Sequence, residues 1–199
     1  LVGGDLKIVD TDLVNLDGLE NIRSVAGYLE VSYNYRLADV SGLRNIRSVE
    51  LDLSFEVNYS LPNITGLASL TSVGRDIFIE GNPALTNIAG MNALTKVGGN
   101  LIIGGTYGNA ENAVGNESLA NITGMRNLTN IGGAFVVWRN AALKNLSGFG
   151  NLSSVAGNVL IQENSALNNL DGLANLTSIG GYLGIAYNAA LTNLDGLAN

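Results

Sequence analysis

Eight Asn-x-Ser/Thr tripeptides, none with Pro in the middle, begin at Asn58, Asn63, Asn116, Asn121, Asn127, Asn145, Asn151 and Asn175. This tripeptide accepts an N-linked sugar on the asparagine amide nitrogen, and it marks the surface of a secreted protein. Two origins are open. The tripeptides are either modified sites or by-products of an Asn-, Ser- and Thr-rich composition. Placement favours modification: Asn58 and Asn116 fall in two apparent insertions, and the other six recur at two fixed offsets of a repeat. Acidic residues crowd the chain before residue 81, whereas acceptor tripeptides dominate from 116 to 175, as though sugar replaced charge as the solubilising group. Covalent N-glycans are expected, and no other cofactor.

The chain has no histidine and no cysteine. Their absence excludes Ser-His-Asp and Cys-His nucleophile systems and the usual zinc sites. Carboxylates remain. Asp10 with Asp12, or Asp52 with Glu56, has the residue types for glycoside hydrolysis. These acids do not recur as a column beside Lys or Arg, so they read as solvated surface charge. No run of alternating Asp ligands with a Gly turn is present, and no metal is expected. The formal net charge is −7 without any cluster of Lys or Arg, which argues against nucleic acid as a partner. No apolar run reaches the roughly 18 residues that span a bilayer. The sequence reads as that of a non-enzyme.

The elements that position these residues come from repetition. Residues 180 to 199, GGYLGIAYNAALTNLDGLAN, align over AGNVLIQENSALNNLDGLANLTSI (156 to 179) and GGAFVVWRNAALKNLSGFGNLSSV (132 to 155). Apolar residues fall at fixed offsets, as in Val159, Ile161, Leu167, Leu170, Leu173, Leu176 and Ile179. Spacings of two and three broken by Gly or Asx turns do not sustain a helical face, so short strands bent around a coil are expected. The fold class is therefore all-β: a parallel β-solenoid of about eight 24-residue coils, spanning residues 1–199 as one domain. Insertions are placed near 54–60 and 104–118. Asn34, Asn82, Asn140, Asn164 and Asn188 share one offset and read as a structural amide ladder, donating and accepting along the stack. Asp17, Asp171 and Asp195, each before a Gly, read as turn residues.

The pattern in GLANLTSIGGYLGIAYNAALTNLDGL resembles the leucine-rich β-solenoids of the receptor L-domain type, and is similar to GPI-anchored fungal cell-wall proteins of that group. The resemblance covers essentially the whole chain. It implies an extracellular or cell-surface, non-enzymatic module and names no ligand. The chain departs from growth-factor-receptor members in having no cysteine to form disulfides, and no lipid-anchor signal is visible.

Two further surfaces are expected. An outward column is read as Lys7, Glu30, Asp52, Phe78, Ile102, Val136 and Leu160, with Trp138 two residues further along its strand. Phe78, Ile102, Val136, Trp138 and Leu160 would then form an apolar contact stripe, either for a protein or carbohydrate partner or for cover by the 104–118 insertion. The chain also opens and closes inside a repeat. It is expected to be a piece of a longer solenoid or a subunit that stacks end to end. The functional expectation is an N-glycosylated extracellular structural protein forming a fibril or surface layer. The alternative is a receptor or adhesin ectodomain that binds protein or carbohydrate.

Overall fold

The computed structural model describes residues 1–105 and 114–198 and is a parallel β-solenoid. One face is a sheet of eight short strands: Leu6–Val9, Leu29–Ser32, Leu53–Glu56, Ile77–Glu80, Leu101–Gly104, Phe135–Trp138, Val159–Gln162 and Leu183–Ala186. A second face is a ladder of seven two-residue strands, from Ser24–Val25 to Ser178–Ile179. Among the described residues, seven single 3-10 turns make the third face, beginning at Ser41–Leu43 and ending at Asp195–Leu197. The coil count is thus about seven complete turns rather than eight, because the opening coil lacks a 3-10 turn and the last lacks a strand in the short sheet.

Strand register fixes the period. Leu6, Leu29, Leu53, Ile77, Leu101, Phe135, Val159 and Leu183 pair in succession. Leu53 and Ile77 are one ordinary 24-residue step apart, so the insertion expected near 54–60 does not exist. Between Leu101 and Phe135 the step is 34 residues, which accommodates the expected insertion near 104–118. Its central residues, 106–113, lie outside the described residues.

The core consists of the seven apolar columns read from the sequence. Val159, Ile161, Leu167, Leu170 and Leu173 have no solvent exposure, and Leu176 has 7 %. Their counterparts Leu53, Phe55, Leu61, Ile64, Leu67, Leu70 and Val73 are likewise buried completely. A single coil has nothing on which to close such a face, so burial comes from the coils above and below. The columns lose that cover at the last coil, where Leu183 is 43 % and Leu194 54 % exposed.

Close stacking dictates the glycine in every 3-10 turn. A Cβ built on Gly66 would lie 1.9 Å from the Val40 carbonyl oxygen, and one on Gly148 would lie 1.6 Å from that of Ile122. Only a residue without a side chain lets the coils approach this closely.

Candidate functional site

The asparagine ladder is longer than the sequence reading allowed. Asn34, Asn58, Asn82, Asn116, Asn140 and Asn164 are all buried with no exposure, and Asn188 continues the column. The backbone N–H of Asn34, Asn58, Asn82, Asn140 and Asn164 donates to the amide oxygen one coil on, as Asn34 N–H does to Asn58 Oδ1 (3.3 Å) and Asn58 N–H to Asn82 Oδ1 (3.0 Å). Each Nδ2 donates to a core-strand carbonyl of the coil before: Asn58 to Val31 (2.9 Å) and Asn116 to Ile79 (2.8 Å). At the first coil Thr11 takes the place of asparagine, its N–H and hydroxyl both donating to Asn34 Oδ1.

This geometry corrects two glycosylation expectations. Asn58 and Asn116 carry acceptor tripeptides, but their Nδ2 atoms are enclosed and already donate to backbone carbonyls, leaving no room for a sugar in the folded chain. The signal that identifies them is the 24-residue spacing from Asn34 to Asn58 to Asn82, and from Asn116 to Asn140. The corner before the ladder adopts left-handed φ in seven coils, at Asp10 (52°), Tyr33 (58°), Val57 (57°), Gly81 (64°), Arg139 (55°), Glu163 (54°) and Tyr187 (57°), but not at Gly115. A β-branched residue such as Val57 is strained there, and the bonds of the next residue's amide hold the corner in place.

The other six acceptor asparagines occupy two columns beside the 3-10 turns. Asn63, Asn121 and Asn145 are half-buried just before a turn. Asn63 Oδ1 accepts from the Thr65 N–H (3.1 Å) and hydroxyl (2.6 Å), and Asn145 Oδ1 from the Ser147 N–H (3.1 Å). The same bond is made by Asn15, Asp39, Asn87, Asn169 and Asn193, so an Asx residue in this column has a structural cause whether or not sugar is attached. Asn127, Asn151 and Asn175 follow the turn and are exposed. Their Nδ2 atoms donate to Asn92, Arg126 and Gly150 carbonyls at 2.6–2.7 Å, and one amide hydrogen on each remains for substitution.

The outer face of the long sheet differs from the expected stripe. Register places Ser54, not Asp52, in the outward column between Glu30 and Phe78. Val136 and Leu160 are only 4 % and 6 % exposed, and Phe78, Ile102 and Trp138 are half-buried. The stripe is therefore not an open apolar surface. Asp52 instead precedes its strand and accepts the Asp76 N–H (3.0 Å), a bond repeated by Asp5, Asp76, Asn100 and Asn158 in their own coils. The Asp52 and Glu56 pairing is thereby split, since Glu56 accepts from the Ser54 hydroxyl on the outer face.

Two carboxyl groups on this face have displaced pKa values. Glu80 is 5 % exposed, and its Oε1 has no hydrogen-bond partner. Burial, reinforced by the facing Glu56, pushes its pKa up to about 8. For Glu163 burial acts upward, but hydrogen bonds from Trp138 and Arg139 and the Arg139 charge outweigh it and hold the pKa low. Arg139 Nε lies 2.8 Å from Glu163 Oε2.

A shallow groove of about 250 Å³ on the early coils is lined by Lys7, Tyr28, Glu30, Asp52, Ser54, Glu56 and Phe78. Tyr33, Tyr35 and Tyr59 are 44–48 % exposed at the adjoining corner, with the Tyr35 and Tyr59 rings 5.1 Å apart. Among the described residues no three acids gather where they could hold a metal ion, and no helix is long and apolar enough to cross a membrane. Comparison with protein-family models and with curated proteins found no match.

Proposed function

We propose that the chain is a non-enzymatic, N-glycosylated extracellular structural protein that builds a fibril or surface layer by stacking solenoids head to tail. The observation that carries this reading is the way the coils stack: Leu53, Phe55, Leu61, Ile64, Leu67, Leu70 and Val73 are buried completely between neighbouring coils, an interface that repeats at every step of the solenoid. Burying such a face against a further coil is strongly favourable. The likeness to L-domain solenoids and fungal wall proteins supports an extracellular setting, and the exposed column Asn127, Asn151 and Asn175 supports modification with sugar.

The groove supports a second reading, a receptor or adhesin ectodomain. Its combination of aromatic rings and acids suits a protein or carbohydrate ligand. Electron microscopy and light scattering of the purified chain over a range of concentrations separate the two. Unbranched filaments that lengthen with concentration are expected. Dispersed monomers throughout would overturn the structural reading and leave the binding one.

A further inference from the structure

We infer that the outer face of the long sheet holds a site for an alkylammonium group at Glu56 and Glu80, filled by a lysine side chain of a partner polypeptide. This gives the groove a ligand class and rests on the binding reading of it. Charge is unevenly settled along the groove. At its first end Lys7 Nζ lies 3.5 Å from Glu30 Oε2 and 5.6 Å from the centre of the Tyr28 ring, so an ammonium already sits between a carboxylate and an aromatic face. Asp52 Oδ1 has Arg75 Nε 3.7 Å away. Glu56, which also lines the groove, has no cationic partner among the described residues, and its carboxylate accepts only from the Ser54 hydroxyl.

Glu80 makes the stronger demand for a ligand. Strand Ile77–Glu80 turns Ile77 and Ile79 into the core, which puts Phe78 and Glu80 on the outer face. Glu80 is only 5 % exposed, its Oε1 has no hydrogen-bond partner, and register sets it one rung from Glu56. A buried carboxyl oxygen without a donor is unfavourable, and a second carboxyl beside it adds repulsion. A compact cation with several N–H donors relieves both, and an ammonium has three. Rungs about 4.8 Å apart let one nitrogen stand between the two carboxyls and donate to each. A guanidinium instead directs two parallel bonds at a single carboxylate. The Phe78 ring lines the groove on the same face and offers apolar surface to the methylene stem. A metal ion fits less well, since among the described residues no three acids gather to hold one. The formal net charge of −7 favours a basic partner over an acidic one.

The probe is a short capped peptide of glycine and serine around one lysine, titrated into the full chain by calorimetry and NMR. Saturable binding is expected, with shifts at the Glu56, Phe78 and Glu80 amides, and acetylation of the peptide's lysine should abolish it. Glu56→Gln and Glu80→Gln preserve side-chain size, and each should weaken binding by about tenfold or more. Asp171→Asn removes the same charge from an exposed position on the 3-10 face and should leave affinity unchanged. Binding at neutral pH should also release a proton, because Glu80 gives one up to face the ammonium; its neighbours across the sheet are Glu56 on one side and Gly104 on the other. Glu80→Gln should bind without that release. Equal affinity for the acetylated peptide, unchanged affinity in Glu56→Gln, or calcium bound at these residues in place of the peptide would overturn the ammonium site. If the acetylated peptide or a neutral oligosaccharide then binds in the groove, the binding reading survives; a groove that takes none of the three ends both.

Discussion

Among individual residues, Glu80 makes the sharpest demand on the fold. Its carboxyl is removed from water, has an oxygen without a hydrogen-bond partner and faces Glu56 across one rung. Because its folded pKa is raised to about 8 from an ordinary 4.5, the folded chain holds a proton that the unfolded chain has released across that interval. The sign follows from linkage. Stability from this group is intact below about pH 4.5 and falls as pH rises toward 8, by on the order of 5 kcal/mol in all. Glu80→Gln should flatten that slope and raise the urea midpoint most at pH 8, and a variant with the same pH dependence as the parent would refute the assignment. Residue identity was partly legible in the sequence. The ladder asparagines are visible as a column, yet at Asn58 and Asn116 the acceptor tripeptide and the ladder offset coincide. Nothing local distinguishes an enclosed amide from an open one; only the 24-residue register does.

At the level of elements, the apolar columns were readable because each is a long-range regularity repeated in every coil. The 3-10 turns and two-residue strands were not, since elements of two or three residues are too short to show a period. The glycine column reveals them in retrospect, as every 3-10 turn from Gly42 to Gly196 has one at its centre. Gly90 is a clear case, for a Cβ there would lie 2.0 Å from the Ile64 carbonyl oxygen. Gly90→Ala must push two coils apart and should cost about 3 kcal/mol or more, in the range of overpacked cores. Gly150 provides the control. Its nearest neighbour to a new Cβ is the Ser147 oxygen at 3.8 Å, and its φ is −59°, so Gly150→Ala should be neutral or stabilise by up to about 1 kcal/mol. Denaturant titrations of both variants give the comparison, and equal stabilities would contradict the steric account.

Considered as a whole, the molecule separates its faces by chemistry. The long sheet presents the groove and the early tyrosines, while the accessible acceptor asparagines stand on either side of the 3-10 turns. Neighbouring rungs are about 4.8 Å apart, too close for branched sugars on Asn127, Asn151 and Asn175 to point independently. Intact mass measured before and after enzymatic deglycosylation of the chain expressed through a eukaryotic secretory route should differ, with peptide mapping assigning sugar among Asn63, Asn121, Asn127, Asn145, Asn151 and Asn175. Asn58 and Asn116 should remain bare, and the exposed column should be filled incompletely. Equal masses would end the glycoprotein reading. The outer-face stripe is not legible in the sequence, because pattern alone gives the direction of a side chain but not what shields it, and Val136 and Leu160 are buried. The left-handed corner has a broader consequence. Its backbone is held by the residue that follows, an asparagine in every coil but the first, so its own side chain is left to vary, and it is Asp, Tyr, Val, Gly, Arg, Glu or Tyr in different coils. Shape and message are thereby uncoupled. The corner is a row of rewritable letters on an unchanging spine, and a lineage can alter what this edge displays without renegotiating how the chain folds.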